Sequence, residues 1–225
     1  MNPYALPILC IALCIHCLTG CYSYQPIFEK NIIPATARHS AQESHAHMVF
    51  AWRGLRDEEN LDVLSSRLDQ AWSHDPGYYE PVWGWGIFRL LQAGHTKPSS
   101  TVIRHLNDSI RYFYMARNMK SFPEEERANL DMDIANSYNA MGACYIQMGN
   151  QTYADTALDC ASSILNEINP KTKIESARYF ELLAYNKFYK GNIEDAKAAA
   201  TRALDEGAML SEYFLSKLSI EGHAK

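Results

Sequence analysis

The first 28 residues contain no Asp, Glu, Lys or Arg; Glu29 is the first charged side chain. Such a stretch has no charge to hold it in water. Nowhere does the chain carry a block of basic residues, and its formal net charge is −5. A mildly acidic surface without basic runs argues against nucleic acid as a partner. Three nucleophile, metal and phosphate signatures are also missing: G-x-S-x-G, H-E-x-x-H and a phosphate-cradling glycine loop. The sequence therefore offers no catalytic constellation and implies no cofactor. Cysteine is scarce beyond the start: of six, only Cys144 and Cys160 follow Cys21. What is plentiful is aromatic, with 14 Tyr and four Trp, which must fill a core or cover a binding face.

The early cysteines, Cys10, Cys14 and Cys17, lie in "CIALCIHC" with C-x3-C-x2-C spacing, and Cys21 follows. Thiolates so spaced can hold an iron–sulfur cluster. A cluster needs deprotonated thiols and hydrogen bonds to its sulfurs. This stretch supplies neither a glycine-rich turn nor a cation. From Leu6 to Leu18 the only polar side chain apart from the thiols is His16, so cysteine here acts as a small hydrophobe. The run matches a secretory h-region and is short for a membrane span.

Its end, Leu18-Thr19-Gly20-Cys21, resembles the lipobox of bacterial lipoprotein signal peptides: an aliphatic residue, a small one, Gly or Ala, then Cys. The resemblance implies that residues 1–20 are removed and that the Cys21 thiol receives a diacylglycerol. The new amino group is acylated as well, and two acyl chains anchor firmly where one does not. The segment departs from the pattern in having no Lys or Arg before its apolar run. The competing expectation is an uncleaved anchor or an ordinary signal without lipid. Tyr22, where a retained inner-membrane lipoprotein would carry Asp, implies the periplasmic face of the outer membrane. About 205 residues then remain, enough for one well-buried domain. Residues 21–44, interrupted by Pro26, Pro34, Ser23 and Ser40, read as a lipidated N-terminus and flexible tether, with Ile27, Phe28, Ile32 and Ile33 able to dock on the body.

The rest, 45–225, reads as helical repeats. In "SYNAMGACYIQMGNQTYADTALDCA", Gly142 and Ala154 lie twelve apart with Gly149-Asn150 between them, and Ala161 follows seven later. In "RYFELLAYNKFYKGNIEDAKAAATRAL", Ala184, Ala196, Gly191-Asn192 and Ala203 repeat the same offsets 42 residues on. Two helices joined by a short turn lie antiparallel, and small residues at facing positions let them approach. The spacing resembles the tetratricopeptide repeat. Tyr138, Met141, Gly142, Tyr145, Ala154, Leu158 and Ala161 carry the resemblance in one pair. Phe180, Leu183, Ala184, Ala196, Ala200, Ala203 and Leu204 carry it in the next, with Lys187 where Tyr is usual. It implies an all-α fold, a right-handed α-solenoid of antiparallel helix pairs.

Earlier units are looser. Residues 61–76 read as a second helix and 81–94 as a first helix with Gly86 at its small position. Its partner is 101–118, with Ser109, Phe113 and Ala116 facing inward. A long helix starts at Pro123, favoured by Glu124, Glu125 and Glu126 in its first turn, and runs to Met148. Residues 211–220 form a capping helix. Residues 45–56 read as helix, although "HMVFAW" also suits a short strand. That choice matters for His45 and His47, near His39: two residues apart on a helix they diverge by about 200° and cannot share an ion, whereas on a strand they can. Register places Cys144 and Cys160 several turns apart, beyond disulfide reach.

In this family the first helix of each pair lines the concave groove. Counting from the small residue, the exposed positions are Glu80, Trp83, Ile87 and Leu91; then Asn136, Asn139, Ala143 and Gln147; then Arg178, Glu181, Tyr185 and Tyr189. Amide, Arg and aromatic groups suit a peptide backbone. The resulting expectation is a membrane-anchored, non-enzymatic scaffold that binds an envelope protein or peptide. Competing expectations are an accessory subunit of an envelope enzyme and a small-ligand component of a transporter.

Overall fold

The computed structural model describes residues 43–49, 51, 61–94 and 96–220. The leader, Cys21, most of the tether, His39 and residues 52–56 lie outside them. Among the described residues there is no strand. The helices are α1 (Leu61–His74), α2 (Tyr79–Gly94), α3 (Ser100–Arg117), α4 (Arg127–Gln147), α5 (Gln151–Glu167), α6 (Lys173–Tyr189), α7 (Ile193–Asp205) and α8 (Glu212–Lys217). No described helix is long and apolar enough to cross a membrane.

The helices pack in pairs, α2 on α3, α4 on α5 and α6 on α7. Two of the connecting turns are the Gly-Asn pairs. Gly149 and Gly191 have φ of 73° and 78°, left-handed conformations that cost an ordinary L-residue energy. Asn150 then accepts a hydrogen bond from the Tyr153 amide and caps α5. At the start of the next pair Thr172 caps α6, and the Glu175 carboxylate reaches back to accept from the Lys171 amide at 2.7 Å.

Within each pair the small residues do what their spacing predicts. A Cβ added at Gly142 would lie 2.6 Å from Leu158 Cγ, with the Ala154 carbonyl 3.4 Å away. In the α2–α3 pair, a Cβ at Gly86 would lie 2.3 Å from the Phe113 ring. There the Ser109 hydroxyl donates to the Gly86 carbonyl at 2.8 Å, so a polar side chain sits at the closest approach without an unmet bond. Ser109, Phe113 and Ala116 are fully buried, as expected. In the α6–α7 pair alanines take over: Ala184, Ala196, Ala200 and Ala203 are fully buried. The core is segmented. One cluster spans the segment from Met48 to Ala157, another runs from Ala177 to Leu218, and Met132, Ala135, Leu165 and Leu182 lie between them.

Several boundaries differ from expectation. The acidic start of α4 is a single 3₁₀ turn, Glu124–Glu126, and the α-helix begins at Arg127. The capping helix is only Glu212–Lys217. The folded body also reaches into the expected tether: 43–49 and 51 are helical, so "HMVFAW" does not start a strand. Ser44 donates to the Ala71 carbonyl at 2.8 Å, and Met48 and Ala51 are fully buried. As helical geometry requires, His45 and His47 diverge. His45 Nδ1 lies 3.2 Å from Glu80 Oε2, whereas the His47 ring stacks on His74 with centroids 4.9 Å apart. Cys144 and Cys160 are unbridged, and burial pushes the Cys144 thiol above its ordinary range.

Candidate functional site: the face shared by the first helices

The first helices α2, α4 and α6 follow one another along the stack, and their facing side chains converge on one carboxylate. Asp133, in the second turn of α4, is almost completely buried. It accepts a hydrogen bond from the Trp83 indole N–H of α2 at 2.6 Å. Its other oxygen takes the Arg178 guanidinium of α6. Burial pushes the Asp133 carboxyl up from its ordinary range, and the Arg178 charge and the Trp83 hydrogen bond pull it back. One acid thus fixes the indole of one pair and the guanidinium fork of another.

A second polar link joins α4 to α6. Asn139 donates to the Leu182 carbonyl at 3.0 Å, and Asn186 donates to the Asn139 side-chain oxygen and the Leu158 carbonyl, both at 2.9 Å. Ser162 of α5 donates to Asn186 Oδ1 at 2.8 Å. Every amide in this ladder has a buried partner, so the ladder fixes the register between the two pairs. Nearer the start, Glu80 is buried beneath His45. Burial, and then Glu80 itself, push the phenols of Tyr78 and Tyr79 well above their ordinary range. Tyr79 and Trp83 pack against Phe122, with centroids 5.2 and 6.3 Å away.

These contacts correct the expected row of open groove positions. Glu80, Trp83, Ile87, Asn139, Ala143, Glu181 and Tyr185 are buried. Leu91, Asn136, Arg178 and Tyr189 are half-buried, and Gln147 is exposed. The physical reason is that consecutive elements cover one another. Asn139 is covered by α6, Trp83 meets α4, Glu80 meets the 43–49 segment, and Tyr185 lies under Phe214 of α8 at 4.2 Å between centroids. Arg178 and Tyr185 hold the fold together, so replacing them reports on folding before it reports on binding. Of the expected groove positions, those that retain solvent contact are Leu91, Asn136, Gln147, Arg178 and Tyr189.

Asp133 was not among the expected site residues, nor was Asn186. Asp133 had a signal: "NLDMDIAN" sets two acids inside an apolar run within a helix, where an acid needs a partner. Its companion Asp131 meets Arg117 at 3.2 Å. Among the described residues no trio of His, Cys, Asp or Glu is grouped so as to hold a metal ion. A scan of family models and searches of curated proteins and solved structures find no match to this chain.

Proposed function

We propose that this chain is a lipid-anchored, non-enzymatic scaffold of the cell envelope. In this reading it is a tetratricopeptide-like, right-handed stack of helix pairs that holds a protein or peptide partner along the face shared by α2, α4 and α6. The observation that carries the proposal is the convergence of Trp83, Asp133 and Arg178, which ties three consecutive first helices into one continuous face. A continuous, braced face suits an extended partner, because little ordering is left to be done on binding. The shared offsets of the α4–α5 and α6–α7 pairs and their Gly-Asn turns support the repeat assignment. The lipobox-like Leu18–Cys21 supports the anchor and, with Tyr22, the periplasmic face of the outer membrane.

The contact groups on this reading are Asn136, Gln147 and Tyr189, two amides and a phenol able to bond a peptide backbone. A photo-crosslinking amino acid placed at each of these positions in cells is expected to capture one discrete envelope protein. The same group at Thr156, exposed on α5, is expected not to capture it. Equal capture from Thr156 and from the inner positions would remove the shared face as the binding site.

A further inference from the structure

The chain joins the folded body at the edge of the shared face. Glu43 meets His74 at the end of α1 at 3.1 Å, Ser44 donates to the Ala71 carbonyl, and His45 Nδ1 lies 3.2 Å from Glu80 in the first turn of α2. The α3–α4 connection closes on the same corner. Ser121 donates to the Gly77 carbonyl at 2.8 Å, and the Phe122 ring packs on Tyr79 and Trp83. Residues ahead of Glu43 therefore set out from beside Glu80 and Trp83, at the end where the first helices begin.

The sequence ahead of Glu43 is not that of a plain spacer. Ile27, Phe28, Ile32 and Ile33 place four large apolar side chains within residues 27–33, a stretch outside the described residues. Such density is unfavourable in water and unusual for a solvated linker. Pro26 and Pro34 flank it and disfavour helix, so the stretch suits an extended peptide. Length permits it to reach the face. Packed helices lie about 8–10 Å apart, which sets α6 about 20 Å from α2. Ile33 stands ten residues ahead of Glu43, a length that spans about 33 Å when extended.

The face also matches it in chemistry. Leu91, Asn136, Gln147 and Tyr189 keep solvent contact, an aliphatic, two amides and a phenol of the kind that holds an extended segment. On the face the carboxylates of Glu80, Asp133 and Glu181 outnumber the Arg178 guanidinium, whereas from Ile27 to Arg38 the chain carries Lys30 and Arg38 against Glu29. Trp83, Arg178, Glu181, Tyr185 and Tyr189 each have a partner besides those described above, and so do Glu43 and His45 where the chain enters. Contacts at both the entry corner and the far helix fit a segment laid between them.

We propose that residues 27–33 of this same chain are the resting occupant of the shared face, lying across α4 and α6 until a partner displaces them. The proposal rests on the reading of that face as a binding surface and adds its regulation: the partner competes with a tethered segment held at high local concentration.

The test uses the full chain, purified in detergent, with Phe28 replaced by the photoreactive benzoylphenylalanine. After irradiation the adducts are mapped by peptide mass spectrometry. Adducts within one molecule are expected on peptides of α2, α4 and α6, in excess of those on α3, α5 and α7, with a yield independent of protein concentration. Ile32→Asp with Ile33→Asp is expected to lower that yield about tenfold, because two of the apolar anchors are lost. Both changes lie outside the described helical body, and an unchanged helical signal confirms that it remains folded. No partner is present in this measurement, so its outcome is separate from capture of an envelope protein in cells. The proposal is overturned by adducts spread equally over the outer helices, by adducts to a second copy, by no adduct, or by an unchanged yield in the double variant.

Discussion

Gly142→Leu is expected to lower the stability of the folded body by about 3 kcal/mol or more, since overpacking a tight core contact costs roughly 1–3 kcal/mol and here the neighbour is a branched side chain on a close-packed helix. A Cβ alone would stand 2.6 Å from Leu158 Cγ and 2.7 Å from Leu158 Cδ2, and the remaining leucine atoms have no room to follow. Urea denaturation followed by far-ultraviolet circular dichroism measures the loss. Gly142→Ala with Leu158→Ala separates crowding from helix propensity. Trimming Leu158 makes space for the new methyl, so the double variant is expected to be less destabilised than the sum of its singles. Strict additivity would show that α4 and α5 do not press together at this point.

The second large effect is expected at Asp133. Asp133→Ala leaves the Arg178 guanidinium beside an empty acceptor site and takes away the acceptor of the Trp83 indole N–H. Breaking one side of a buried pair costs about 3–5 kcal/mol, largely because the surviving charge stays buried without compensation. Arg178 is mostly covered, with a side-chain exposure of 15%, so screening by water removes only part of that cost. Asp133→Ala combined with Arg178→Met removes both charges and is expected to recover part of the stability. Asp133→Asn keeps an acceptor for Trp83 and is expected to fall between the parent and Asp133→Ala. Denaturation curves of the four proteins form the cycle. If Asp133→Ala costs less than about 1 kcal/mol, the Trp83–Asp133–Arg178 link contributes little to holding the three first helices together.

How far the sequence revealed this fold depends on the kind of signal. Small residues at fixed offsets were readable because only Gly or Ala fits where helices touch. Gly142 against Leu158, Gly86 against Phe113 and the alanines of α7 bear this out. The Gly-Asn turns were readable because left-handed backbone favours those residue types. The helical state of 43–49 was partly readable, since "HMVFAW" has the apolar density of either helix or strand. Burial against α1 and α2, a tertiary fact, goes with the helical choice.

The shared face was read less well. Counting from the small residue identifies which way a side chain points, but not how deeply the next element covers it. Glu80, Asn139 and Tyr185 are buried by neighbours far along the chain. Asp133 was missed for a related reason: its partners Trp83 and Arg178 lie 50 and 45 residues away, where no local pattern connects them.

Everything said of the envelope begins at Cys21. The most direct measurement is the intact mass of the protein isolated from the membrane fraction, with fragmentation of its N-terminal peptide. A mature chain beginning at Cys21 and carrying a diacylglyceryl group with an acylated amino terminus is the predicted result. A chain that still begins at Met1, or one cut elsewhere with an unmodified Cys21, would contradict it.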